Sequence, residues 1–245
     1  MATPFHSTPR PYLYGSWLWQ RHQLDFQATP IFLAQMGFAC FALDLQGHGQ
    51  SEGLKAYVPT STLWLKIASP SSIQSNRTFP SMDCPQFCAI LVAPMCKISD
   101  NVRPRWPIPQ ILTFLARFFP TLPIVPTPDI LDKSVKVPEK KIIAAMNPLR
   151  YKGKPRLGTV VELLRITDYL SQKLGEVKLP FIVLHGSADA VTDPDVSRAL
   201  YEEAKSEDKT IKIYYGMMHS LLFGETDENV DIVRREILSW LNDRF

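Results

Sequence analysis

The last third of the chain narrows the fold most. Phe181 to Leu184 is a short apolar run that ends in His185-Gly186, and Thr210 to Tyr215 is a second stretch rich in β-formers. A strand that is apolar without alternation must be covered on both faces, as the strands of parallel sheets are. Between the two runs, Asp193 is placed to cap a helix, Pro194 takes its first position, and Val196, Leu200 and Ala204 recur at helical spacing. After the second run, Val230, Val233, Ile237, Trp240 and Leu241 make the apolar stripe of a closing helix. Strand, helix, strand, helix in this order predicts an α/β fold whose parallel sheet carries helices on both faces.

The front of the chain repeats part of the pattern. Ile31 to Met36 reads as the end of a helix stopped by Gly37, Phe38 to Leu43 as a buried strand ending at Asp44, and Cys88 to Ala93 as another, halted by Pro94. Between these two strands the pattern fails: Pro59 to Pro85 holds six serines and four prolines around one brief apolar run, Leu63 to Ala68, and predicts no helix. Residues 59–87 are therefore read as irregular. From about 103 to 170 the chain is first Pro-rich and apolar, then charged, then helical from Gly158 to Leu170, with Val160, Leu163, Leu164 and Thr167 on one face. That interval reads as a cap inserted between sheet strands. Its most apolar tract, Trp106 to Pro126, carries five prolines and Arg117, which argues for a lid or lipid-touching surface over a membrane span.

A chain of 245 residues with 45% apolar composition can bury one full core, so residues 1–245 are read as a single domain with that insertion. Net charge is only +3, from 27 basic and 24 acidic residues, and no basic cluster stands apart from compensating acids, which argues against a nucleic-acid partner. Cys40, Cys84, Cys88 and Cys96 lack zinc-ligand spacing and read as reduced thiols, so neither a metal nor another cofactor is expected. The first thirty residues hold no apolar segment of signal-peptide length, and a cytoplasmic location is the expectation.

Ligands of open α/β sheets bind beyond the carboxyl ends of the strands. Two loops sit there: His185 to Asp193, and Gly216 to Ser220. One helix and one strand separate them, so adjacent parallel strands bring Asp189 and His219 to one edge. A carboxylate in that place accepts from one imidazole nitrogen and leaves the other as a general base. Asp193 competes for the acid role, but it already has a capping task beside Pro194.

Four stretches carry a family resemblance: ALDLQGHGQSEGLKAYVP at 42–59, LVAPMCKISDNVRPRWP at 91–107, NPLRYKGKPRLGTVVELLRITDYL at 147–170, and LPFIVLHGSADAVTDPDVSRALYEEAKSEDKTIKIYYGMMHS at 179–220. Together they resemble the monoacylglycerol lipase family of α/β-hydrolases, in particular its plant branch with caffeoylshikimate esterase-like enzymes. The resemblance implies an α/β-hydrolase fold with an inserted cap, and hydrolysis of a monoglyceride or related lipid or phenolic ester by a serine nucleophile. It further implies that Asp189 is the triad acid, that His219 is the triad histidine, and that the cap shapes the acyl site and touches membranes.

One part of the family's equipment is missing. The nucleophile of an α/β-hydrolase stands on a sharp strand-to-helix turn, G-x-S-x-G, whose small residues let the backbone bend. No glycine occurs between Gly53 and Gly153, and the interval where the resemblance puts the elbow strand, turn and helix is the irregular 59–87 stretch. Gly49-Gln50-Ser51-Glu52-Gly53 matches the letters, but Pro59 follows too soon for a supporting helix, and the family uses this loop as a structural turn. Ser51, and Ser69 at the end of the Leu63 to Ala68 run, are the remaining candidates for an unorthodox nucleophile. The oxyanion donor is altered too: only Tyr14-Gly15 resembles the family's early H-G-x-G loop, and no strand is expected to lead into it. Three readings follow: an impaired or unorthodox ester hydrolase, a non-catalytic binder of lipid or a partner, and a splice or gene-model variant that folds poorly because it lacks a central strand and helix.

Overall fold

The computed structural model describes residues 12–16, 24–44, 46–59, 88–98, 103–126 and 129–245. Ser69, Cys84 and the Leu63 to Ala68 run lie outside them. The described strands form two parallel units, of two and three strands. β1 (Tyr12–Ser16) pairs with β2 (Ala39–Leu43), Tyr12 opposite Ala39. β3 (Ala89–Val92), β4 (Phe181–Gly186) and β5 (Lys209–Tyr214) form the second unit with β4 in the middle. Tyr14 and Gly15 thus lie within a strand, which corrects the expectation that none leads into them. Five residues that include a glycine carry too weak a local signal, and the strand exists through its ladder to β2.

Between β1 and β2 runs α1 (Leu24–Gln35), ended by Gly37 at φ 94° as its sequence requires. β4 is completely buried, and its alternate residues face two separate clusters. Ile182 and Leu184 pack with Val233, Ile237, Trp240 and Leu241 of α7 (Asp227–Asn242) and with Leu33 and Phe38 from the α1 side. Phe181 and Val183 face the other way, onto Leu200 of α6 (Pro194–Glu203), Ala204 and Leu174. The unbroken apolar character of β4 is thereby explained: each face has its own helix to cover it. Asp193 caps α6, its side chain accepting the backbone N–H of Asp195, with Pro194 at the first turn.

Among the described residues, four α-helices stand between β3 and β4, namely α2 (Ile108–Phe118), α3 (Leu131–Ser134), α4 (Pro138–Met146) and α5 (Leu157–Ser171). The predicted helix at 158–170 is α5, whose buried residues include Glu162, held by a two-pronged ion pair with Arg165. α2 lies along α5 without burying one residue, and leaves Ile111, Phe114 and Phe118 facing outward. Among the described residues no helix is long and apolar enough to cross a membrane. Cys40, Cys88 and Cys96 are not in disulfide bonds.

Candidate active site

The C-terminal ends of β4 and β5 present two loops that are stitched together mainly through their backbones. Ser187 N–H donates to Tyr214 O at 2.9 Å, and Ala188 N–H to Met217 O at 2.9 Å. Gly216 N–H donates to Ser187 Oγ at 2.9 Å. The approach is so close that a Cβ on Gly186 would stand 2.2 Å from Met217 O, which only glycine avoids.

On this scaffold His219 Nδ1 lies 2.8 Å from Asp189 Oδ2, so Nδ1 carries the proton and donates. Nε2 makes no hydrogen bond among the described residues and is the nitrogen left for proton transfer. The carboxylate is buried and densely held. Oδ1 accepts the backbone N–H groups of Val191 at 2.7 Å and Thr192 at 3.0 Å, and Oδ2 also accepts the Thr192 hydroxyl at 2.9 Å. His185 Nε2 approaches the same oxygen at 3.0 Å, and its Nδ1 lies 2.6 Å from Ser197 Oγ. With Nε2–H donating to Asp189, Nδ1 accepts the Ser197 hydroxyl, and every polar atom of this buried ring is satisfied.

Burial by itself would raise the Asp189 carboxyl, but the hydrogen bonds from His185 and His219, the charge on His219 and the Thr192 N–H reverse that effect. The net result holds it well below the usual carboxylate range. It therefore stays an anion beside the imidazole and keeps the tautomer in place.

Asp189 and His219 are brought together as their strand ends predict, and Asp193 is left to its cap. His185, Thr192 and Ser197 escaped sequence reasoning. A signal existed, since His185 and Asp189 stand four apart in one loop, but a histidine closing an apolar run reads as part of the strand. Glu225 escaped too. It is fully buried and its Oε1 accepts the backbone N–H of Met218 at 2.7 Å.

Ser51 is not brought to the imidazole; the His219 ring bonds only Asp189 and Thr192 among the described residues. The Ser51 hydroxyl donates to Asp44 O at 2.6 Å, inside a loop where Gly47, Gly49 and Gly53 all take positive φ. A Cβ at Gly49 would fall 2.4 Å from the Asp44 carboxyl, whose Oδ2 accepts the Gln50 N–H at 3.1 Å. Gly49 of this G-x-S-x-G thus serves a turn around Asp44, and Gly53 packs on Gln46 and Gly47.

The family model for serine aminopeptidase, S33, matches residues 80–227, more than half of the chain. The chain belongs to the S33 family. Among its relatives, caffeoylshikimate esterase of Arabidopsis thaliana is 34% identical over 94% of this chain and 76% of its own length. Human monoglyceride lipase is 27% identical over 97% of this chain and 84% of its own. Solved structures agree on the fold. The monoacylglycerol lipase of Paleococcus ferrophilus superposes with TM-score 0.77 at 22% identity, covering 94% of this chain and 93% of that one. A soluble variant of the Saccharomyces cerevisiae monoglyceride lipase superposes with TM-score 0.74 at 17% identity, covering 97% and 87%. The α/β-hydrolase fold of this S33 member is thereby established, together with its likeness to esterases and monoglyceride lipases.

Proposed function

We propose that this chain descends from a monoglyceride or phenolic ester hydrolase, keeps the acid and histidine of that site, and is catalytically impaired because none of the described serines is presented to them. The observation that carries the reading is the contrast between two side chains. Asp189 and His219 form a charge-assisted pair with Nε2 unengaged among the described residues, whereas Ser51 spends its hydroxyl on Asp44 O. A second fact supports it: the alignment with caffeoylshikimate esterase runs over 261 positions, more than the 245 residues this chain has, so part of the relative finds no counterpart here. Removing the nucleophile of such a site reduces turnover by several powers of ten.

The test uses a fluorophosphonate probe together with release of fatty acid from a monoglyceride and of the acid from a hydroxycinnamoyl ester. Folded protein is expected to take no label and to turn over neither ester. Labelling that disappears in His219→Ala would overturn the reading and direct attention to Ser69.

The exposed apolar face of α2 favours a second, compatible reading, in which residues 103–170 act as a cap that touches a lipid surface. Trp106, Phe114 and Phe118 are 81%, 64% and 60% exposed, far more than a solvated helix face ordinarily tolerates. Arg117 on the same helix suits an interface with polar headgroups. On this reading the protein binds acyl lipid without cleaving it.

A further inference from the structure

Glu225 is a fully buried acidic side chain, and the acid–base pair makes no use of it. Its relative exposure is 0%, and a carboxylate so placed costs several kcal/mol unless every oxygen is answered. The answers come from three directions. Oε1 accepts the backbone N–H of Met218 at 2.7 Å, one residue before His219. Oε2 accepts Asn229 Nδ2 at 3.0 Å, from the first turns of α7. Lys136 Nζ lies 3.5 Å from Oε2 and donates to Gly216 O at 2.9 Å, so one ammonium faces the carboxylate and holds the start of the histidine loop.

Lys136 belongs to the stretch joining α3 and α4, and the same stretch grips the loop by its backbone. Lys136 N–H and Val137 N–H both donate to Gly224 O, at 2.9 and 3.1 Å, and Ser220 N–H donates to Ser134 O at 2.9 Å. Gly224 makes the contact feasible, since a Cβ there would stand 3.0 Å from Val135 Cα and 2.7 Å from Ser220 Cβ. Residues on both sides of His219 are therefore held from the helical insertion and from Glu225, and neither strand ladder reaches them.

We propose that Glu225 is a positioning residue for His219, with Lys136 of the insertion as its counter-ion, so that seating of the insertion and aim of the imidazole are one coupled property. This rests on Asp189 and His219 being the acid–base pair. A helix-capping role alone would not require it, because Thr226 already caps α7, its hydroxyl accepting the Asn229 N–H at 3.4 Å.

The test follows the far-downfield proton of His219 Nδ1–H by NMR, assigned by its loss in His219→Ala. Methyl resonances of Val183 and Leu184 report the fold. In Glu225→Gln and Lys136→Met that proton is expected to exchange with water about tenfold faster while the β4 methyls stay in place. Lys140→Met is the control: Lys140 donates to Glu225 O and pairs with Asp227 but touches nothing between 216 and 219, and wild-type exchange is expected. Lys136 is 44% exposed at its side chain, so Lys136→Met decides the matter if Glu225→Gln does not fold. Unchanged exchange in Lys136→Met, or an equal effect from Lys140→Met, overturns the coupling while leaving the Asp189–His219 pair intact. If the wild type shows no such proton, the pair itself is refuted, and the positioning role with it.

Discussion

At residue scale the site is governed by who donates to Asp189 Oδ2. Three donors share it, the rings of His185 and His219 and the Thr192 hydroxyl, and the two ring protons leave the carboxylate with no reason to protonate near neutrality. A carboxyl held below its ordinary value of about 3.9 stabilises the fold fully above that pH, and the contribution disappears as pH falls through the lowered native value. Asp189→Asn should therefore melt below wild type at pH 7, with the gap closing as pH falls below about 4. A pH series of thermal melts reads this directly, and a gap that stays constant down to acid would refute it. Gly186 gives a second prediction. Because any Cβ there meets Met217 O, Gly186→Ala should destabilise by about 1–3 kcal/mol in a denaturant titration, through forced separation of the two loops.

Elements differ in what makes them possible. β4 needs only its own apolar run and a helix on each face, and it was readable for that reason. β1 has no such run and depends on β2 for its hydrogen bonds. α2 presents the opposite case, an amphipathic helix whose apolar side is not spent on the core. If that side meets lipid, Phe114→Ser with Phe118→Ser should lower sedimentation with phosphatidylcholine vesicles several-fold without changing the melting temperature, since neither ring is buried in the fold. Equal vesicle binding by the double variant would remove the lipid reading of the insertion.

For the whole molecule, the two clusters on either side of β4 are the foundation on which both site loops stand. Phe181 is fully buried among Val183, Leu200 and Ala204, and Phe181→Ala should cost about 3–5 kcal/mol by chemical denaturation. Amides of β4 should be the slowest of the described residues in hydrogen exchange, and faster exchange there than in β1 would show that stability resides elsewhere.

The parallel α/β fold, the cap of α6 at Asp193 and the pairing of Asp189 with His219 were all legible in the sequence by itself. Each depends on local spacing plus one rule of topology, that adjacent parallel strands deliver their loops to the same edge. That no glycine stands between Gly53 and Gly153 is equally plain, since composition alone bounds where a backbone can bend most sharply. Only the tertiary structure decided the rest. It turned His185 inward to Asp189 and Ser197, set Gly49 against the Asp44 carboxyl, and buried Glu225 under the histidine loop. No period or motif announces such contacts, since they arise where residues distant in the chain meet in a space from which water is excluded, and where any polar atom must find its partner among whatever the fold has brought near.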